Sequence, residues 1–344
     1  MKTGQHTKKG KYMKIVKYLK FSQNLRKLNK NELKVGMNVI KNNLKLKPKE
    51  SVLIVTDPDK EKIEAAIFFE AAKKFTKKVG LISFSGMTEN AQEPPEKIAQ
   101  KMKLADTSLL VTTYSLSHTQ ARKKANKAGT RIISLPGITQ EMILRTLSVD
   151  YGEISKLCHK LEKVLSQGKQ VTVTSPGGTN LTLLIKNRRA LSDAGDFSKS
   201  GSMGNLPAGE TFIAPVENKT NGVVVFDGAF ADIELDKPIT VEIKSGRAIK
   251  ISGCKAAKEL KKLMEQTGEK AKIVCEFGIG TNKTTKLIPE VLEAEKVYGT
   301  CHLAFGNNAT FGGKNSVQFH SDGIIKKPTI TIDNKVIMKL GKFL

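Results

Sequence analysis

The stretch SVLIVTD (51–57) is an apolar run that ends in polar residues, which is typical of a strand buried on both faces of a parallel sheet. The next two segments predict a helix and a second strand: DKEKIEAAIFFEAAKKF (59–75) and VGLISF (79–84). The alternation continues with a helix that begins at PPEK (94–97), the strand SLLVTT (108–113), a helix over 117–129 and a strand over 130–137. This order predicts a parallel sheet covered by helices. GxGxxG does not follow the first strand, which argues against a dinucleotide site.

The segments on either side extend this α/β region. Upstream, Leu33, Met37, Ile40 and Leu44 recur at helical spacing and predict a helix over 31–46. The first twelve residues predict a disordered basic leader. Downstream, two more helices are predicted, over 138–147 and 151–167.

The pattern changes after residue 168. KQVTVTSPGGTNLTLLIKNRRA (169–190) contains two alternating runs around Pro-Gly-Gly, which indicates a β-hairpin. Further hairpin-like pieces follow at 221–230, 238–253 and 328–340, interrupted by one helix over 254–267. The chain is therefore predicted to hold a leader (1–12), a Rossmann-like α/β domain (13–168) and a β-rich α+β domain (169–344).

Charge and composition narrow the class of protein. The 344 residues carry a net charge of +25, of which +13 falls within residues 1–50. Only 6% of the residues are aromatic, so stacking platforms for nucleic acid are few. No stretch reaches the ~18–20 uninterrupted apolar residues of a membrane span. The four cysteines show no paired spacing, so we expect a reduced, cytoplasmic protein with a lysine-rich surface, no membrane partner and no dedicated nucleic-acid site.

Metal-ligating residue types gather in the second predicted domain. His320 and Asp322 in FHSDG lie two apart, so on a strand they project from the same face. His302 precedes glycine-rich turns, Glu276 ends an apolar run, and Glu210 follows a Pro-Ala-Gly turn. Two imidazoles and three carboxylates suit Zn, Mn, Co or Fe(II). Each residue also has a plainer interpretation, such as a solvated turn glutamate or a core histidine.

Three further residues are candidates of a different kind. His118 follows a predicted strand where open α/β sheets bind ligands, so it is a candidate base, although Ser117 or Thr119 beside it could simply cap a helix. Arg188 and Arg189 are candidate partners for a substrate carboxylate, or solvated turn charges.

Four motifs in order, NLPAGETFIAP, CEFGIGTN, EAEKVYGTCHLAFGNN and FHSDG, resemble the thermophilic-type metalloaminopeptidases, the aminopeptidase T family. The likeness covers residues 200–330 best. It implies a homodimer with two divalent ions per chain (Zn, Co or Mn) held by Glu210, Glu276, His302, His320 and Asp322. It also implies a hydrolase that releases N-terminal residues from small peptides through a metal-activated water.

One position departs from that family. Ala309 stands where its peptidases have a tyrosine seven residues after the first ligand histidine, and the chain resembles a shorter branch often labelled leucyl aminopeptidase. A relative of that branch is a ring-cleaving dioxygenase that acts on 2,5-dihydroxypyridine with a single Fe(II). His302, His320 and Asp322 would supply its 2-His-1-carboxylate set. A third hypothesis is a non-catalytic binding protein that uses the basic arm.

Overall fold

The computed structural model describes residues 27–231, 233–288 and 291–344, and the chain divides into two units. The first unit ends at Ser148 and also takes in Asp196–Leu206. The second unit comprises Val149–Gly195 and Pro207–Leu344. The predicted leader, residues 1–12, lies outside the described residues. Of the helices in the described part of the chain, none is long and apolar enough to cross a membrane.

A parallel sheet forms the centre of the first unit, as the alternation of apolar runs predicts. Its strands lie in the order Val79–Ser83, Val52–Thr56, Thr107–Val111, Arg131–Ser134 and Met203–Asn205. Two of them, Val52–Thr56 and Thr107–Val111, are buried along their whole length. Burial on both faces explains why these strands are continuous apolar runs rather than alternating ones.

Helices and helical turns cover this sheet. The helices are Lys30–Asn38, Ala66–Ala72, Glu96–Leu104, Gln120–Lys127 and Gln140–Thr146, with π-helical turns at Val39–Asn43 and Glu61–Ala65. Leu53 and Val55 pack with Ile98 and Met102 in one apolar cluster. Gly36 lies on the face of its helix that contacts the next helix. A Cβ at this position would lie only 2.8 Å from the Ile67 carbonyl oxygen. The glycine therefore permits close helix packing.

Two antiparallel sheets build the second unit. The larger has the order Arg247–Ser252, Ile239–Lys244, Asn221–Phe226, Asn180–Leu184, Gln170–Thr174, Thr329–Ile332, Lys335–Lys339 and Lys342–Phe343. The smaller, here called the site sheet, has the order His320–Ile325, Cys301–Gly306, Val274–Gly280, Glu210–Ile213 and Leu191–Asp193. The helical segments are Tyr151–Gln167, Lys255–Thr267 and Val291–Ala294, with a 3-10 turn at Glu269–Lys272. The predicted fold class, a parallel α/β unit followed by a β-rich α+β unit, is confirmed.

The observed boundary between the units differs from a division at residue 168. The helix Tyr151–Gln167 belongs to the second unit, where Leu161 and Leu165 join its apolar core. Residues 196–206 belong to the first unit, because Met203–Asn205 pairs in parallel with Arg131–Ser134. Both features depend on packing between segments far apart in the chain.

The core of the second unit lies between its two sheets. Phe226 of the larger sheet is fully buried, and its ring centroid lies 5.1 Å from that of Phe230 and 6.2 Å from that of Phe305 on the site sheet. Both pairs adopt edge-to-face geometry. These contacts pack the apolar face of the site sheet against the larger sheet.

Replacing Phe226 by Ala should therefore destabilise the second unit. Removing a fully buried Phe side chain costs about 3–5 kcal/mol, because the surrounding core collapses only partly. The matched control is Ile249→Ala, since Ile249 is 57% exposed and its truncation should change stability by about 0.5 kcal/mol or less. Urea unfolding of both variants measures the difference. Equal midpoints would contradict the packing described here.

Candidate metal centre

The five predicted ligands lie on one face of the site sheet. They are Glu210, Glu276, His302, His320 and Asp322. Side chains alternate between the two faces of a strand, and the antiparallel register places all five of these residues at positions that point to the same face. The residues that alternate with them point to the other face and include the buried apolar residues Phe277, Leu303 and Phe305. One face of the sheet therefore builds the core, and the other gathers the charged groups.

Each ligand is paired with a glycine or alanine on a neighbouring strand. Across the strands, Glu276 and Asp322 both lie opposite Ala304, His302 opposite Gly278, Glu210 opposite Gly280, and His320 opposite Gly306. A Cβ on Gly278 would lie 2.0 Å from Nε2 of His302, so the imidazole occupies the space above this glycine. The small residues that alternate in EFGIG and HLAFG therefore indicate the site in the sequence. This signal is separate from the spacing of the candidate ligands.

Glu276 connects the two imidazoles. Nε2 of His302 lies 3.4 Å from Glu276 Oε1 and 3.4 Å from Glu210 Oε2. Nε2 of His320 lies 3.5 Å from Glu276 Oε2 and 3.4 Å from Asp322 Oδ2. Both imidazoles therefore direct Nε2 towards the same carboxylate.

The donor atoms form two overlapping groups suited to a cation. Within each group, Glu210–Glu276–His302 and Glu276–His320–Asp322, the ligand atoms lie within 4.8 Å of one another. Among the described residues, Glu210 Oε2 and Asp322 Oδ1 are buried and have no hydrogen-bond partner. Buried carboxylate oxygens are costly unless a donor or a cation satisfies them. The residues present therefore fit a bound divalent metal.

The orientation of His320 is fixed by a backbone contact. Its Nδ1 lies 2.9 Å from the carbonyl oxygen of Asn307, which can only accept, so Nδ1 carries the hydrogen. In the neutral imidazole this leaves the lone pair on Nε2, which faces Glu276 and Asp322. The side chain of His320 is 32% exposed, whereas that of His302 is fully buried.

The electrostatics of the cluster favour added positive charge. Burial, together with the neighbouring carboxylate of Glu295, raises the pKa of Glu210 to about 8. Burial lowers the pKa of His302, but Glu276 and Glu210 outweigh that effect and bring it to about 9. Neighbouring carboxylates contribute to both shifts in the same direction, whereas burial acts in opposite directions on the two groups.

Lys296 is a site residue that motif spacing did not identify. Its side chain is fully buried, and Nζ lies 3.1 Å from Glu210 Oε1 and also contacts Glu295. Burial lowers the pKa of Lys296, yet Glu210 and Glu295 together raise it above its usual value, so the ammonium stays charged. The available signal was the fragment EAEK, in which a lysine follows two acidic residues just before the strand that carries His302.

The three other predicted residues are not members of the two groups of ligand atoms. His118 is an exposed residue of the first unit, and Thr119 caps the following helix by accepting a hydrogen bond from the Arg122 backbone. Arg188 donates to Glu217 and to the Gly312 carbonyl, and Arg189 is exposed. The guanidinium of Arg188 therefore ties the loop around Gly312 to Glu217. A catalytic role for His118 and a substrate role for the arginines stay predictions.

Two details near His320 differ from simple strand alternation. Strand alternation alone would turn Cys275 away from Glu276, but a β-bulge between Val274 and Glu276 accompanies a distance of 3.7 Å between Cys275 Sγ and His320 Nδ1. Ala309 is exposed, whereas Phe311, two residues later, has its ring centroid 6.1 Å from that of His320. An aromatic side chain is thus present beside the cluster from a neighbouring position of the same loop.

A buried group of carboxylates and imidazoles on one sheet face defines a metal-centre type of site, of the kind found in metal-dependent enzymes. The family model described as NicX, 2,5-dihydroxypyridine 5,6-dioxygenase, matches residues 38–344. The chain belongs to this family of enzymes. No curated protein matches the chain.

Two solved structures share the fold. The 2,5-dihydroxypyridine dioxygenase from Pseudomonas putida KT2440 has a TM-score of 0.80 at 19% identity, over 92% of this chain and 98% of that one. Wild-type AmpT from Thermus thermophilus has a TM-score of 0.68 at 16% identity, over 91% of this chain and 99% of that one. The resemblance to aminopeptidase T therefore holds for the fold.

The prediction that this chain is an aminopeptidase is wrong, and so is its assignment as a hydrolase and protease. The family model that overturns it spans almost the whole chain and describes a dioxygenase. That the four motifs supply metal ligands stays a prediction, which the grouping of their side chains on one sheet face supports. The motifs do not distinguish between the reactions that the scaffold carries, because the same residue types suit both centres.

Replacing Gly278 by Ala should weaken metal binding while leaving the fold intact. The new Cβ would displace the His302 imidazole, and Gly278 does not have a positive φ, so the backbone accepts Ala. We expect at least a roughly tenfold loss of Co(II) affinity, comparable to the loss of a residue that orients a ligand. Spectroscopic Co(II) titration measures it, with circular dichroism to check folding.

The matched control is Ala309→Ser, an exposed change in the loop that follows the same strand as His302. Its Co(II) affinity should equal that of the unmodified chain. Unchanged affinity in Gly278→Ala would remove His302 from the set of metal ligands.

Proposed function

We propose that this protein is a mononuclear Fe(II)-dependent dioxygenase that opens the ring of a small aromatic diol of the 2,5-dihydroxypyridine type. The observation that carries the proposal is that His302, His320 and Asp322 share one face of the site sheet, where both imidazoles direct Nε2 towards Glu276. Two histidines and one carboxylate are the ligand set of non-haem Fe(II) oxygenases, in which other coordination positions stay open. The family match supports the same assignment.

These three residues would hold a single iron in place of the pair of Zn, Co or Mn ions expected of a peptidase. When bound, Fe(II) supplies the one-electron chemistry that lets ground-state O₂ react with an electron-rich ring. Both oxygen atoms enter the product as a ring bond is cleaved, so the overall reaction consumes one O₂ and needs no external reductant.

A carboxylate outside this ligand set, that of Glu276, can take part in proton transfer. Glu276 lies against both imidazoles and is not needed to complete the 2-His-1-carboxylate set. Burial raises the pKa of Glu276, so its carboxylate is a stronger base than one in water. We assign to it the acceptance of a proton from a substrate hydroxyl, a step that makes the ring more electron-rich.

An aromatic wall beside the cluster suits a flat substrate. Phe212 shares the sheet face with Glu210, and its ring centroid lies 5.5 Å from that of Phe311 in an edge-to-face pair. Phe311 in turn lies beside His320. Both rings are half-buried, so each keeps an accessible edge or face. Aromatic side chains of this kind pack well against another ring.

The loop that carries Phe311 is held by several hydrogen bonds. Asn308 donates to the Cys275 carbonyl, and its side-chain oxygen accepts from the Asn315 backbone at 2.9 Å. Glu217 accepts from the Lys314 backbone at 2.8 Å. Phe311 therefore has a defined position, which is a requirement for a residue that orients a substrate.

Anaerobic loading with Fe(II), followed by addition of 2,5-dihydroxypyridine and air, tests the function directly. We expect O₂ uptake and loss of substrate absorbance in a 1:1 ratio, and no turnover without iron. His320→Ala should lower kcat by at least about a hundredfold and reduce bound iron, because the centre loses a ligand. His159→Ala is the control, since His159 is exposed and its Nδ1 lies 3.3 Å from Glu162 on the same helix. An iron-loaded protein that consumes neither O₂ nor any dihydroxylated aromatic ring would overturn the proposal.

Phe311→Ala should raise KM for the aromatic substrate by roughly 2–10-fold, because an aromatic contact contributes about 0.5–1.5 kcal/mol beyond its buried area. Bound iron should stay the same, since Phe311 offers no ligand atom. Phe311→Leu keeps apolar bulk and should give an intermediate KM. Steady-state kinetics together with iron analysis separate these outcomes, and an unchanged KM in Phe311→Ala would remove the ring from the substrate site.

A further inference from the structure

A backbone crossing places Lys296 beside Glu210. Gly280 lies directly opposite Glu210 on the neighbouring strand of the site sheet. A Cβ on Gly280 would lie 2.2 Å from the Val297 carbonyl oxygen and 2.8 Å from the Lys296 carbonyl carbon. The segment Lys296–Val297 therefore crosses the sheet face over Gly280, next to Glu210.

This segment is held firmly. The Asn282 backbone donates to the Lys296 carbonyl at 2.9 Å, and the Lys296 backbone donates to the Glu293 carbonyl at 3.1 Å. The Lys296 side chain is fully buried between Glu210 and Glu295. A buried ammonium is retained only where carboxylates compensate the loss of hydration, so this ion pair is a fixed part of the centre.

The position of the ammonium matters for the number of metal ions. Glu210, Glu276 and His302 by themselves form a three-ligand group beside Glu276, His320 and Asp322, with Glu276 shared. That arrangement would suit two ions bridged by a carboxylate. Here Glu210 Oε1 binds Lys296 Nζ at 3.1 Å, which leaves Oε2 as the Glu210 oxygen without a hydrogen-bond partner. The charge that a second ion would supply next to Glu210 is therefore supplied by the chain.

We propose that Lys296 is a fixed cation that takes the place of a second metal ion and limits the centre to one. The inference rests on the proposed mononuclear function and adds the residue that enforces it. Lys296 is a positioning residue in this scheme: it neutralises Glu210 and keeps its carboxylate from bridging to another ion. A merely structural lysine would affect stability but would not change the number of ions bound.

The test is metal stoichiometry on the full chain, measured anaerobically with Fe(II) and separately with Co(II). Ions per chain are counted by elemental analysis after removal of free metal, and the d–d bands of Co(II) report the coordination. We expect one ion in the unmodified chain, two in Lys296→Met, where Glu210 regains both oxygens, and one in Lys296→Arg, which keeps the positive charge.

Should Lys296→Met fail to fold, the double variant Glu295→Gln with Lys296→Met removes one charge of each sign and leaves Glu210 intact. It too should bind two ions. One ion in the methionine variants, or loss of all metal from them, overturns the role of Lys296 while leaving the proposed function standing. Two ions in the unmodified chain overturn the role of Lys296 and the mononuclear centre together, and so does the absence of any bound metal.

Discussion

The cost of burying three carboxylates on one sheet face governs the arrangement of the second unit. Each ion that leaves water loses several kcal/mol of hydration, and neighbouring negative charges add repulsion. The protein offsets this cost with Lys296 against Glu210, with two imidazoles against Glu276, and with room for a metal cation. The glycines and alanine opposite each ligand belong to the same solution, because they let the charged groups approach one another.

Strand alternation allows one sheet to carry this charge without losing its core. In CHLAFG, the residues Cys301, Leu303 and Phe305 are buried in the apolar core. The intervening His302 lies in the charged cluster, with Ala304 and Gly306 as the small residues between ligands. A shift of one residue in register would exchange the two sets and bury the imidazole in the apolar layer. Phe305, packed on Phe226, therefore fixes the position of His302 as well as stabilising the sheet.

Local patterns were sufficient for the parallel sheet and for placing His320 and Asp322 on one face of a strand, because both follow from periodicity within a few residues. His320 and Asp322 share a face for the simple reason that they lie two apart on a strand. The boundary between the units was not predictable in this way, since the strand Met203–Asn205 returns to the first sheet after intervening strands of the second. Lys296 was missed for the same reason: its partner Glu210 is 86 residues away in sequence. The side-chain direction of Cys275 depends on a bulge that no alternation rule anticipates.

The reaction could not be read from the ligands because ligand residues are compatible with more than one chemistry. The fold is shared by the dioxygenase from Pseudomonas putida and by AmpT from Thermus thermophilus, so the scaffold does not select the reaction. Selection must come from groups that are not ligands, through the net charge of the centre and the shape of its walls. In this chain those groups are the buried ammonium of Lys296 and the ring of Phe311. The first sets how much positive charge the carboxylates still require, and the second presents an apolar surface to a flat ring. Both lie in segments between strands, where a change of residue alters the chemistry without disturbing the sheet that holds the ligands.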